Sequence, residues 1–200
     1  MNRKYILFAL VAIVFFIVVY SLNSGNSAYV EGIKKIHEEK INFLSLSPES
    51  PVKEKINRSA IEFFEPQKKY RVKARIAQIP DVGRVELATN DGSIRPYIKF
   101  AMAIFEIDGK KDSLIIFIEP TFNANYKKAF IPFKDQTSGN ESYGAGRYLD
   151  AEIKDDSSVE LDFNLAYNPF CAYDEKFSCP LPPESNYIDF KIEAGEKNYK

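Results

Sequence analysis

The side chains that could do chemistry are concentrated between Pro132 and Asp150. Lys134, Asp135, Thr137, Ser138, Tyr143 and Arg147 fall within sixteen residues, punctuated by Gly139, Gly144 and Gly146. Arginine offers a planar fork that matches a carboxylate or phosphate. Glycines permit sharp turns and close backbone approach. Three readings of this cluster compete. As a phosphate cradle it lacks a following Gly-Lys-Ser/Thr and a strand–loop–helix context. As a serine nucleophile site it lacks Gly-x-Ser-x-Gly, and the sole histidine, His37, is far away in sequence. As a polar ligand site it fits, with Arg147 facing Asp135, Asp150 or Asp162. A structural ion pair closing the end of a sheet fits the same residues.

A second polar group follows at Asp162, Asn164 and Asn168. These side chains could hydrogen-bond a ligand's hydroxyls, or they could satisfy backbone groups of the irregular chain beyond them. Lys134, Asp135, Thr137, Tyr143, Arg147, Asp162, Asn164 and Asn168 are therefore the candidate ligand-binding residues. If Asp135 and Asp162 share a cleft, carboxylate acid–base chemistry assisted by Arg147 and Tyr143 would make a hydrolase or lyase. No catalytic set is recognisable, and no metal site or cofactor is expected. Two cysteines and one distant histidine do not make a zinc set, and no aspartate loop has calcium spacing.

The elements that must position these residues are mostly strands. Tyr70, Val72, Ala74 and Ile76 alternate with Arg71, Lys73 and Arg75, the pattern of a half-buried strand. Strands are expected over 84–89, 97–107, 114–118, 129–133, 147–153, 159–165 and 187–192. Asn90-Asp91-Gly92 and Asp108-Gly109 mark hairpins. Leu114–Ile118 is apolar on both faces and is expected at the centre of the sheet. Residues 167–185 are proline-rich and irregular, and the tail is charged. Before the strands, Tyr29–Leu44 reads as an amphipathic helix with Val30, Ile33, Ile36, Ile41 and Leu44 near one face and His37 solvated or half-buried. Pro51 could open a second short helix through Val52, Ile56 and Ala60, with Ser50 as its cap. The expected fold is mainly β: an antiparallel barrel or sandwich of at least seven strands, preceded by one or two amphipathic helices and an N-terminal transmembrane helix.

That transmembrane helix is read from residues 5–22, which carry no charge and follow Arg3 and Lys4. Eighteen helical residues span roughly 27 Å, close to a bilayer core. Basic residues before the span place the N-terminus in the cytoplasm and the remainder outside. A cleaved signal peptide competes, with Gly25-Asn26-Ser27 the best cleavage site, and either reading exports the domain. The division expected is 1–28 anchor and linker, 29–64 helical segment, and 65–200 β domain. Beyond residue 28 the chain holds 25 basic and 28 acidic side chains, which gives no footprint for nucleic acid. The partners expected are the membrane and a small polar or anionic ligand or envelope protein. Outside the cytoplasm Cys171 and Cys179 are free to form a disulfide, whose short loop would stabilise by about 2.5 kcal/mol. Two buried free thiols are the alternative.

Two blocks resemble a known family. Pro132-Phe133-Lys134-Asp135-x-Thr137-Ser138-Gly139 with Tyr143-Gly144-x-Gly146-Arg147-Tyr148 is the first. Asp162-Phe163-Asn164-x-Ala166-Tyr167-Asn168-Pro169-x-Cys171-Ala172-Tyr173, followed by Cys179-Pro180-Leu181-Pro182-Pro183, Asn186 and Gly195-Glu196-Lys197, is the second. Both are similar to the domain of unknown function 1684 family of bacteria and archaea, over roughly residues 30–197. Lys134 stands where arginine is also usual, and Phe170 where proline often follows Pro169. The resemblance implies kinship and no particular activity, substrate or cofactor. The function expected is a membrane-tethered extracytoplasmic β domain that binds a small polar or anionic ligand or envelope partner at 134–150. A carboxylate hydrolase or lyase and a purely structural envelope protein are the alternatives.

Overall fold

Strand alternation is the organising pattern. In a computed structural model, which describes the backbone of residues 3–120, 127–154 and 157–199 and side chains from residue 25 except 55 and 127, β1 (Arg71–Ala77) turns Ala74 into the core and leaves Arg71, Lys73 and Arg75 exposed. It is followed by β2 (Gly83–Ala88), β3 (Ile94–Ile107) and β4 (Lys110–Ile118). Then come β5 (Lys127–Asp135), β6 (Arg147–Ile153), β7 (Ser158–Asp162) and β8 (Tyr187–Ile188). The β3–β4 hairpin turns at Asp108 and Gly109, both with positive φ (51° and 79°), as a type I′ turn requires. The sheet runs β6-β5-β4-β3-β1-β7, with β2 on β3 and β8 on β5. β6 also lies against β7 without a ladder between them, so the sheet is nearly closed into a barrel.

A register shift between Lys99 and Ala101 divides β3. Its first half pairs with β2 and its second half with β1, so one long strand serves two partners along the same edge. All ladders are antiparallel except the two-residue pairing of β8 with β5, which is parallel. The expected antiparallel order thus holds for seven strands. The expected strand over 187–192 is only two residues long.

Both faces of the central strands are covered. Leu114, Ile116, Ile131, Phe133, Leu149 and Leu161 fill the barrel interior. Ile115, Phe117, Phe130 and Tyr148 pack on the outside, beneath β2 and the 167–185 segment. Leu114 to Ile118 is buried at every position, which is why that run is apolar without alternation. The tail does not behave as its charge suggests. Phe190, Ile192, Ala194 and Glu196 turn inward at every second residue, and Phe63 bridges Glu196.

The helical start differs from expectation. One helix, α1 (Arg3–Leu46), runs without interruption through the polar residues 23–28, where a linker was expected. No proline lies between 3 and 46 to break it. The side chains of residues 1–24 are outside the described residues, and so is the expected anchor over 5–22. Among the described residues no helix is long and apolar enough to cross a membrane. Ile33, His37 and Leu44 face the barrel, whereas Ile36 is 45% exposed. His37 is therefore buried rather than solvated. The second helix is replaced by two 3-10 turns, Lys53–Lys55 and Arg58–Ala60. Ser50 hydrogen-bonds back to Leu44 O (2.8 Å) and closes α1 instead of opening a new helix. The strand expected over 159–165 stops at Asp162, because Asp162 accepts the Asn164 N–H and starts a 3-10 turn, Phe163–Leu165.

Two glycines sit where neighbouring chain leaves no room for a Cβ. A Cβ at Gly146 (φ 102°) would lie 2.6 Å from Pro182 Cγ and 2.7 Å from Phe133 O. At Gly195 (φ 76°) it would lie 2.6 Å from Ala166 O. Gly139 also has positive φ but faces open space. Gly146→Ala and Gly195→Ala are each expected to cost about 2–3 kcal/mol in urea unfolding, and Gly139→Ala about 1 kcal/mol. Equal costs at all three would show that close approach is not what these positions require.

Candidate functional site

The first polar cluster is a closed lock. β5 ends at Asp135 and β6 begins at Arg147, whose register partner is Phe133. Asp135 Oδ2 accepts from Arg147 Nη2 at 2.8 Å, and both side chains are fully buried. Asp135 Oδ1 accepts the backbone N–H of Thr137 (2.7 Å) and of Ile192 (3.2 Å). Arg147 donates onward to the carbonyls of Ile192 (3.0 Å), Ala194 and Glu196. Its guanidinium lies over the rings of Phe133 and Phe64. Burial pulls its pKa down from the usual arginine value, and Asp135 opposes that shift. Thr137 bonds Ser142 at 2.7 Å and seals the loop. The Arg147 donors that would recognise an anion already have protein acceptors, except Nε, which is buried with no partner among the described residues.

The second cluster fastens α1. Asn164 is completely buried and makes bonds to Gln67 N and O, Tyr29 OH and Asp162. Tyr29 OH donates to both Asp162 oxygens at 2.8–2.9 Å. Burial, then Asp162, raises the Tyr29 pKa. His37 stacks on Phe63 with ring centroids 3.9 Å apart and donates from Nε2 to Asn164 O at 2.7 Å. Asn164 thus does not lie on the polar face of a strand. Asp135 and Asp162 have disjoint partners and no common cleft, so the structure does not assemble them as an acid–base pair. Lys134 is half-buried beside Tyr187 of β8.

Of the expected ligand-binding residues, Asp162 borders a wider groove of about 800 Å³ between α1 and β7, and Asn168 borders an aromatic cavity of about 470 Å³. The aromatic cavity lies outside the barrel, over β3–β6, and is walled by the end of α1 and residues 167–180. Its floor is a run of rings. Tyr97 stacks on Phe130 (5.0 Å), Phe130 meets Tyr148 edge-on (4.8 Å), and Tyr148 meets Tyr167 edge-on (5.8 Å). Burial raises the Tyr97 phenol to about 12 and raises Tyr148 and Tyr167 further, so all three are neutral hydroxyls at neutral pH. Lys40 Nζ stands 4.2 Å over the Tyr167 ring and 3.2 Å from Glu196 Oε2. Burial lowers the Lys40 pKa, and Glu196 opposes that shift. Lys128 pairs with Asp150 (2.8 Å), which also accepts from Tyr167 OH. Arg95 and Glu119 complete the charged rim. Asn168 donates to Lys197 O (2.7 Å), but its Oδ1 is buried with no hydrogen-bond partner among the described residues.

Lys40, Arg95, Tyr97, Lys128, Phe130, Tyr148 and Tyr167 were not among the expected site residues, and Asp150, offered as a partner of Arg147, pairs with Lys128 and Tyr167 instead. The signal for them was in the outward positions of the strands. Phe130 and Tyr148 stand where a one-sided barrel would carry polar side chains, next to Lys128 and Asp150 on the same face.

Cys171 and Cys179 border the same region as buried free thiols, so the expected disulfide is not formed in this structure. Cys171 N–H donates to Cys179 Sγ at 3.2 Å. Tyr143, expected at the ligand site, instead packs behind them with its hydroxyl 4.0 Å from Cys171 Sγ. Burial pushes that phenol up to about 12.

The comparisons with known proteins agree with this fold. The family model described as protein of unknown function (DUF1684) matches residues 58–197. The solution NMR structure of an uncharacterized protein from Haloarcula marismortui is similar, with 34% identity and a TM-score of 0.62. The likeness covers 86% of this chain and 95% of that one. A search of curated proteins finds no match.

Two outcomes follow from the locks. Removing one partner of a buried pair leaves an uncompensated charge, so Arg147→Met is expected to lower stability by about 3–5 kcal/mol in denaturant melts. A loss below about 1 kcal/mol would mean that the pair does not hold the tail. His37 is kept neutral by burial, which lowers its pKa in the fold. The unfolded chain then takes up the proton first, so stability falls as pH drops below about 6.5. Urea midpoints of His37→Gln should lack that segment of the pH dependence. An unchanged slope would assign it to other groups.

Proposed function

We infer a binding function for this chain, which belongs to the DUF1684 family of proteins of unknown function. The ligand is a small molecule with a planar apolar body and an anionic group, held in the aromatic cavity outside the barrel. The observation that carries this reading is a cavity of about 470 Å³ in which stacked rings meet Lys40, Arg95 and Lys128 against Asp150 and Glu119. Cavities of this size, mostly apolar with a few convergent polar groups, are where small ligands bind. Lys40 supplies the cation that burial leaves least well solvated. The tyrosine floor offers flat faces and neutral hydroxyls.

The domain is held at the membrane by residues 5–22 and works outside the cytoplasm. What supports this part is the uncharged stretch behind Arg3 and Lys4. A structural role fits the 134–150 cluster, because Asp135 and Arg147 are consumed by the lock. The acid–base reading of Asp135 with Asp162 has no geometric support.

The test is calorimetric titration of the full chain with a panel of small aromatic carboxylates, including 4-hydroxyphenylacetate. Lys40→Met is expected to weaken binding by about tenfold or more, the value of one charge-assisted hydrogen bond. Lys111→Met, on the opposite hairpin, should leave it unchanged. Failure of every panel member to bind, or equal effects of the two variants, would overturn the reading.

A further inference from the structure

The wall of the cavity between residues 170 and 180 is held very unevenly. At its far end Cys179 is tied to the β2–β3 hairpin. Cys179 N–H donates to Asn90 Oδ1 (2.6 Å), Cys179 O accepts from Asn90 N (3.1 Å), and Leu181 N–H reaches Ala88 O (2.8 Å). Tyr148 OH adds a bond to Pro180 O (2.6 Å). At its near end, Cys171 sits on the 3-10 turn Phe170–Ala172, whose backbone bonds are local: Ala172 to Pro169, Tyr173 and Asp174 to Phe170. Tyr173, Phe177 and Ser178, which line the cavity, lie on the chain between these ends. The two cysteines stand where a turn with only local backbone bonds, tied to the barrel through the Tyr173 hydroxyl on Glu196, meets a segment anchored through its backbone, with Cys171 N–H already bonded to Cys179 Sγ.

We propose that Cys171 and Cys179 form a redox pair whose disulfide fastens the 171–179 wall of the cavity to the β2–β3 hairpin and so preorganises the binding site. Two asymmetries set the order of the chemistry. Cys179 borders the cavity and is reached from it, whereas Cys171 lies behind it against Tyr143. Cys179 is also the better thiolate. The Cys171 thiol and backbone N–H stabilise it and lower its pKa, whereas the hydrogen bond to Cys179 and burial hold Cys171 up. In the first step the Cys179 thiolate attacks a small-molecule or protein disulfide. One sulfur of that disulfide joins Cys179 and the other leaves as a thiolate. Cys171 then loses its proton to water and attacks Cys179 Sγ, expelling the second thiolate. The two cysteines are oxidised by the loss of two hydrogens, and the disulfide under attack is reduced to two thiols. The effect on ligand affinity rests on the cavity being the binding site; the bridge and the stiffening of the wall do not.

The experiment treats the reduced full chain with glutathione disulfide under native conditions and follows intact mass, amide hydrogen exchange and probe binding. The expected result is loss of both thiols as one intramolecular bridge, with exchange across residues 172–178 slowed by about tenfold. Iodoacetamide should label Cys179 before Cys171 in the reduced protein. No bridge, a stable mixed disulfide at Cys179 alone, or a bridge that leaves exchange at 172–178 unchanged would overturn the proposal. The Cys171→Ser and Cys179→Ser chains should keep the faster exchange in oxidant. Binding of 4-hydroxyphenylacetate should tighten on oxidation and not in the serine variants; equal affinity in the two redox states would refute the coupling. A probe that binds neither state counts against the cavity as a site, and the exchange result still decides the bridge.

Discussion

The buried pair of Arg147 and Asp135 is the constraint on which the rest of the fold depends. A barrel with β6 and β7 unpaired at its seam must fix its loose ends in another way. Here one guanidinium collects three tail carbonyls, and one carboxylate collects a tail N–H and a loop N–H. Five backbone groups of chain without a ladder are thereby satisfied inside the protein, where leaving each unpaired would cost about 1–3 kcal/mol. The arrangement is thus a substitute for a strand. Apart from the single bridge of Phe63 with Glu196, the tail from Asp189 onward joins no ladder, and the side chains of Arg147 and Asp135 take that role.

The lock also decides where function can be. Once the tail is in place, Glu196 is fixed beneath the end of α1, where it bonds Tyr173, the Asn168 N–H and Lys40. Lys40 is in turn held over Tyr167 at the cavity edge. A chain of contacts runs from the Arg147–Asp135 lock to the cavity, but neither residue of the lock lines it. The stretch that holds the lock also lends the cavity Tyr148 and Asp150 from β6.

Much of the fold was legible because it rests on local rules. The strands from β1 to β6 follow from alternation and turn residues, and the double-sided burial of Leu114–Ile118 follows from its unbroken apolar run. The misread parts are those where one side chain overrides a pattern. Asp162 capped its own successor and ended a strand that alternation would have continued to Leu165. His37 looked like a helix-surface residue because only its distant partners, Phe63 and Asn164, make a buried place for it. The tail beyond Ile192 was read only as charged, although Ala194 and Glu196 turn inward as Phe190 and Ile192 do. The site was missed for a related reason. Arg147 with Asp135 has the composition of an anion site, and composition does not distinguish a fork that awaits a ligand from one already filled by carbonyls. The cavity residues come from α1, three strands and an irregular loop, so no stretch of sequence contains them together.

The central claim is that ligands meet the outer aromatic cavity and not the Arg147–Asp135 cluster. Amide chemical-shift mapping of the full chain, titrated with 4-hydroxyphenylacetate, tests it most directly. The account predicts saturable shifts at Tyr97, Tyr148, Tyr167 and residues 177–179, with Asp135, Thr137 and Arg147 unmoved. Shifts centred on 134–147 with a silent cavity would contradict it.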